Sequence, residues 1–181
     1  MLVQHNFARA AARVPGKTAL IAGETRITYA DLQQRASSLA GVLRAHGVRN
    51  GDRVVLYLDN RPDFAVAMLA VLECGAAFVP LNPLTKTEKL ARLLRDCEPR
   101  AIVAERSLLP TVTAAIEGLA SVACIICPGH SASANAATPA CPIVDFDVSS
   151  SGDAQAIGTT AAAKVPEARA LLRVVFRRRN R

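Results

Sequence analysis

A chain of 181 residues and 19.1 kDa has room for one domain with a sizeable core, and 51% hydrophobic against 20% charged residues exclude a disordered polymer. Aromatics make up 4% and Trp is absent, so the core must be built from Ala, Val, Leu and Ile. The net charge of +7 does not mark a nucleic-acid face: from Lys164 onward seven basic residues oppose Glu167 alone, which puts +6 in that segment and leaves +1 on residues 1–163.

The longest apolar run, Phe64 to Leu72, stops at Glu73 and is too short to cross a membrane. The opening Met1-Leu2-Val3-Gln4-His5 lacks the basic-then-apolar order of a signal peptide, so a cytoplasmic protein is expected.

In chain order, Thr18 to Thr28 reads as a hairpin, two strand-like runs around the turn at Gly23. Thr28 and Asp31 have capping-box spacing, and Leu32, Ala36, Leu39 and Leu43 fall on one helical face that ends where Gly47 suits a left-handed cap. Arg53 to Leu58 is a strand. Pro62 suits the first turn of a helix that is apolar from Phe64 to Leu72 and ends near Gly75. Ala76 to Val79 is a short strand before Pro80. Thr85 to Cys97 is a helix with a second box, Thr85 and Glu88. Ala101 to Ala104 is a strand, Ser107 to Gly118 a helix opened by Ser107, and Val122 to Ile126 a strand. Residues 128–142 read as a loop, and Pro142 to Phe146 as a candidate last strand. Alternating βαβ units of this kind predict an α/β fold with a mostly parallel sheet covered on both faces.

Five cysteines, at 74, 97, 124, 127 and 141, have no framework spacing. Cys124 and Cys127, near His130, could open a metal site, but the second ligand pair is missing. On a strand, residues three apart point to opposite faces, which favours two buried thiols. No metal ligand is assigned. None of the ten glycines is spaced G-x-G, and neither a P-loop nor a G-x-S-x-G elbow occurs. No catalytic residue is assigned: His46 beside Gly47 reads as a helix-end group.

Three segments carry more. Ile27-Thr-Tyr-Ala-Asp-Leu32, Gly47-Val-Arg-Asn-Gly-Asp-Arg-Val-Val-Leu-Tyr-Leu58 and Leu72-Glu-Cys-Gly-Ala-Ala-Phe-Val-Pro-Leu-Asn-Pro83, in this order and after the opening Ala10 to Leu20, resemble the start of the adenylate-forming superfamily. That superfamily comprises AMP-dependent acyl-CoA synthetases, aryl-CoA ligases and peptide-synthetase adenylation domains. The resemblance runs over about residues 5 to 126. It implies a ligase that activates a carboxylate with ATP and Mg2+ to an acyl-adenylate, then transfers the acyl group to CoA, as in fatty acid metabolism. It also implies a family N-terminal subdomain that is incomplete, since family enzymes are roughly three times as long. The motif residues themselves read as structural, because none is an acid, a base or a nucleophile in this pattern.

The resemblance further implies a Ser/Thr/Gly-rich phosphate loop ending in Pro-Lys. Asp153-Ala-Gln-Ala-Ile157 is similar to its lead-in, and Gly158, Thr159, Thr160 and Lys164 to the ATP-binding loop itself. The preceding Tyr-Thr-Ser stretch is missing, Ala161 stands for a glycine and Ala163 for the proline. A Cβ at Ala161 can block a positive φ and close backbone approach to phosphate. The segment is either a degenerate remnant or a chance match, and ATP, Mg2+ and CoA are not expected to bind well.

The expected organisation is therefore residues 1–127 as the α/β subdomain, 128–157 as a loop with a candidate last strand, and 158–181 as the loop remnant with a basic tail. The leading expectation is a truncated ligase, inactive alone. The alternatives are an interaction module that self-associates or docks to a full-length ligase, and a peripheral membrane protein. For the last, Arg169, Arg173 and Arg177 would line a basic helix over Pro166 to Arg179 that meets an anionic surface. A solvated tail, or a stretch read out of frame, accounts for the same residues.

Overall fold

The computed structural model describes residues 3–128 and 141–146. Residues 129–140 of the loop expected over 128–142, the phosphate-loop segment and the basic tail lie outside the described residues.

Helix α1 (Val3–Arg13) leads into the hairpin β1 (Thr18–Ala22) and β2 (Thr25–Thr28), which is antiparallel and turns at Gly23 with φ +58°. Then come α2 (Tyr29–Ala45), β3 (Arg53–Tyr57), α3 (Pro62–Glu73), β4 (Ala77–Pro80), α4 (Thr87–Cys97) and β5 (Ala101–Ala104). A 3-10 turn (Arg106–Leu108), α5 (Leu109–Ala115), β6 (Cys124–Pro128) and β7 (Ile143–Phe146) complete the order. The five strands β4-β3-β5-β6-β7 form one sheet, and every pairing in it is parallel. The predicted α/β class and parallel sheet are what is observed.

Burial explains the continuous apolar strands. Along β3, Val54 and Leu56 face the core under α2 and α3, while Val55 and Tyr57 face the core under α4 and α5; all four are at most 1% exposed. The face of α2 is the predicted one, Leu32, Ala36, Leu39 and Leu43, with Ala40 added. Cys124 belongs to the first core and Cys127 to the second, so the C-x-x-C spacing straddles the sheet and makes no metal pair. Burial pushes the Cys74 and Cys124 thiols up to about 11.

Helix α1 is not among the expected elements; of its described side chains Ala11 alone is buried, and the Phe7 ring lies 5.6 Å from the Tyr29 ring. Two local expectations are corrected. The Thr85–Glu88 box does not form: α4 begins at Thr87, and Lys86 at its N-cap makes no side-chain cap bond. Thr85 is held elsewhere, its N–H donating to the Asn82 carbonyl at 2.9 Å and its own carbonyl accepting the Tyr57 hydroxyl at 2.6 Å. Ser107 does not open a helix either. It sits within the 3-10 turn, and α5 starts two residues later with Pro110 in its first turn.

Candidate functional site

In an open parallel sheet, binding crevices form at the carboxyl ends of the strands where the connections change direction. Here that point is β3: α3 carries the chain from β3 to β4 on one face, and α4 returns it past β3 to β5 on the other. The two exit loops meet, the Asp59 N–H donating to the Glu105 carboxylate at 3.1 Å. Beside them lies an open cleft of about 410 Å³ lined by Leu58, Asp59, Asn60, Phe64, Asn82, Pro83 and Leu84.

The far wall of the cleft is the segment leaving β4. Strand β4 is an edge of the sheet, with Pro80 in register with Leu56. The N–H groups of Ala77 and Leu81 reach back to the Asp52 and Leu56 carbonyls at 2.8 and 2.9 Å. By alternation, position 80 faces the open edge, where a proline costs no ladder bond. The ladder thus continues one residue past Pro80 rather than ending there. The buried Tyr57 phenol then holds the segment, lying 2.9 Å from the Pro83 carbonyl and 2.6 Å from the Thr85 carbonyl. Its pKa is raised by burial, so it remains a donor. Asn82 closes the turn by accepting the Leu84 N–H at 2.8 Å.

The motifs singled out in the sequence form one structural unit. Gly75 has φ +72°, and a Cβ there would sit 3.0 Å from the Asn50 side-chain oxygen. The Gly51 N–H donates to the Gly75 carbonyl at 3.0 Å. The segment Gly47–Leu58 is therefore fitted against the helix-to-strand turn of Leu72–Pro83, which only glycine can make at this approach. Thr28 caps α2 as expected, its hydroxyl oxygen accepting the Asp31 N–H at 3.2 Å while its O–H donates to the Asp31 carboxylate at 2.7 Å.

Sequence reasoning missed three groups. The Glu73 carboxylate accepts from Ser37 at 2.9 Å and faces Arg44 at 3.6 Å, tying α3 to α2. Arg53 donates to the Cys97 and Glu98 carbonyls at 2.7 and 3.1 Å, at the C-terminus of α4. Tyr57 is the third; a phenol closing an otherwise aliphatic strand was the one visible signal for it.

The cleft lining holds one carboxylate, two amides and no cation. That set does not fit a triphosphate or a magnesium–nucleotide complex, which would need donors and positive charge. Asp63, at the start of α3, has its carboxyl pushed up by burial, with Arg61 and Arg35 opposing the shift and Glu105 adding to it. The His46 ring lies 2.9 Å from the Val42 carbonyl at the end of α2, the helix-end position expected. Among the described residues no group of three or more His, Cys, Asp or Glu could hold a metal ion, and no helix is long and apolar enough to cross a membrane. Gly158, Thr159, Thr160 and Lys164 lie outside the described residues.

Residues 7–165 match the family model described as AMP-binding enzyme. Tyrocidine synthase 2 of Brevibacillus parabrevis is 34% identical over 113 residues, 62% of this chain and 3% of that protein. The crystal structure of a benzoate CoA ligase from Burkholderia xenovorans LB400 superposes with a TM-score of 0.64 at 28% identity, over 77% of this chain and 26% of that one. The N-terminal subdomain of Klebsiella oxytoca NpsA, in complex with 3-hydroxybenzoyl-AMSN, superposes with a TM-score of 0.54 at 29% identity, over 56% of this chain and 26% of that one. The chain thus spans about a quarter of these solved relatives and a few per cent of the curated ones.

Proposed function

Since the chain belongs to the AMP-binding enzyme family, whose members use ATP and Mg2+, we propose that it is the N-terminal α/β portion of an acid-activating ligase and that these 181 residues alone do not complete the reaction. The parent reaction is attack of a carboxylate on the α-phosphorus of ATP, releasing pyrophosphate and leaving acyl-AMP. The acyl group then passes to a thiol such as CoA with loss of AMP. CoA as the acceptor, a place in fatty acid metabolism and a cytoplasmic setting belong to the same proposal.

One observation carries it. The described fold reproduces the part of the ligase fold that the family motifs build, while its cleft at the carboxyl ends of the strands has no cation for a triphosphate. In the same reading residues 1–127 are the α/β body, 128–157 a connection with one further strand, and 158–181 a degenerate phosphate loop and basic tail. Gly158, Thr159, Thr160 and Lys164 stand there as a weakened remnant of an ATP site.

Carboxylate-dependent exchange of labelled pyrophosphate into ATP is the direct test. The purified chain is expected to give none with benzoate, a medium-chain fatty acid or an amino acid. Exchange above the acid-free control would overturn the proposal.

A second reading, a module that self-associates or docks to a full-length ligase, is favoured by Leu84, 86% exposed beside a cleft that Leu58, Phe64 and Pro83 also line. Light scattering of the chain alone and mixed with such a ligase tests it: two unchanged monomer masses would sink it. A membrane-bound tail is the third; binding to anionic vesicles that survives deletion of residues 165–181 would exclude it.

A further inference from the structure

We propose that Asn50 is a site of spontaneous deamidation, with the Gly51 nitrogen as the attacking group and the Gly75 carbonyl as the brake that slows it. The inference rests on nothing in the ligase reading.

The chemistry is that of an asparagine and the backbone amide that follows it. The nitrogen of the next residue attacks the side-chain Cγ. Its proton and the side-chain NH2 leave as ammonia, and a succinimide ring remains. Water then opens the ring at either carbonyl. One opening gives aspartate; the other gives isoaspartate, in which the main chain runs through the former side-chain carbonyl. The net change is loss of ammonia and gain of water. A Cβ on the attacking residue crowds its nitrogen and restricts its backbone, so glycine permits the ring best.

Asn50 is the one asparagine of this sequence followed by glycine. Among the described residues Asn6, Asn50, Asn60 and Asn82 are exposed. Three of them are held back. Asn6 lies inside α1. Asn60 precedes Arg61, whose N–H donates to the Asp59 carbonyl at 2.8 Å. Asn82 precedes Pro83, which has no N–H to lose. Asn50 and Gly51 are instead the exposed central pair of a turn, closed by the Asp52 N–H donating to the Arg49 carbonyl at 3.1 Å, with Gly51 at φ +87°.

The brake is the contact with Gly75. The Gly51 N–H donates to the Gly75 carbonyl at 3.0 Å, and the Asn50 side-chain oxygen lies 3.0 Å from where a Cβ on Gly75 would stand. Ring closure waits for the turn to lift off this carbonyl, the same opening that lets the Gly51 amide exchange with solvent. The product then acts on the joint. Isoaspartate adds a methylene to the main chain between two tied points: the Val48 N–H donates to the Leu43 carbonyl at 3.0 Å, and the Asp52 carbonyl accepts the Ala77 N–H at 2.8 Å. The longer link displaces Gly51 from Gly75, so the modified chain unfolds more easily.

The full chain, incubated in mildly alkaline buffer with and without guanidinium chloride, is read by peptide mass mapping and by enzymatic methylation of isoaspartate. In the native sample conversion is expected at Asn50 and not at Asn6, Asn60 or Asn82. It should run about tenfold slower than in the unfolded sample, because one hydrogen bond must open first. Hydrogen exchange at the Gly51 amide should be slowed by the same factor. The aged native chain should show a lower urea midpoint. Asn50→Gln alters only an exposed side chain and would have to close a larger ring, so it should end the conversion and keep the midpoint constant on ageing. Any one of three results would overturn the proposal: an unmodified Asn50 in the native sample when the unfolded one is fully converted, equal rates in the two samples, or the same fall in midpoint on ageing of Asn50→Gln.

Discussion

On one face of the sheet, α2 runs for 17 residues from a hydroxyl cap at Thr28, and Glu73 of α3 fastens it through Ser37 and Arg44. On the other face α4 and α5 have 11 and 7 residues, and neither receives a side-chain bond at its N-cap. What places α4 instead is β3. Tyr57 at the carboxyl end of that strand holds the segment entering the helix, and Arg53 at its amino end holds the carbonyls leaving it. One face is specified by its own helices; the other is positioned from the strand beneath. The distinction bears on stability because a helix anchored along its length leaves less room for neighbours to relax than one pinned at its ends.

Truncation of the two cores should separate the faces most. Leu39 on α2 and Leu94 on α4 are both at most 1% exposed. Each change to Ala is expected to cost about 2–5 kcal/mol in urea unfolding, with Leu39→Ala nearer the upper figure because α2 and α3 are tied together and collapse poorly onto a cavity. A larger loss at Leu94 would reverse the ranking of the faces.

Gly75 joins α3 on the first face to the amino end of β4. Gly75→Ala forces a Cβ into φ +72° and to 3.0 Å from Asn50, and should cost about 2 kcal/mol. Adding Asn50→Ala is expected to return the steric part only. Full recovery in the double variant would mean that the backbone conformation carries no cost, against the reading of Gly75 as a required glycine.

The capping threonines give the most direct comparison. Thr28→Ala should cost about 1 kcal/mol, since it removes the acceptor of the Asp31 N–H. Thr85→Ala should change stability by less than about 0.5 kcal/mol, because Thr85 bonds through its backbone. Equal losses would show that the unformed box matters after all.

The same contrast explains what could be read from the sequence. Where local signals decide, as at Thr28, Gly47 and the stripe Leu32, Ala36, Leu39 and Leu43, the elements fell where the residues place them. The parallel order followed from alternating strands and helices. Thr85 and Ser107 carried equally good local patterns and were overruled: the Tyr57 hydroxyl and the Asn82 turn claim the first, and a 3-10 turn contains the second. Tyr57 lies 26 and 28 residues before the two carbonyls it serves, a distance no capping rule spans. The cleft was illegible for the same reason. Its lining comes from the segments leaving β3 and β4, whose pairing depends on strand order, whereas the residues proposed for ATP, from Gly158 to Lys164, rested on family spacing alone.

One small effect is expected to be a gain, on the face positioned from the strand. Glu98 ends α4 in the left-handed region at φ 43° and ψ 61°, the only non-glycine residue with positive φ among those described. Three terms act on Glu98→Gly. Glycine relieves the left-handed strain, about 1 kcal/mol. Loss of a carboxylate at the negative end of the helix dipole helps by a few tenths of a kcal/mol. The greater freedom of glycine in the unfolded chain takes back about 0.5–1 kcal/mol. Arg53 is indifferent to the change, since it bonds the carbonyls of residues 97 and 98 and not the side chain. The balance is a stabilisation of about 0.5 kcal/mol, read as a small rise in the urea midpoint at constant slope. A fall would mean that the Glu98 side chain has a role at the end of α4 that its exposed position does not show, and would move that helix terminus from a backbone-held end to a side-chain-held one.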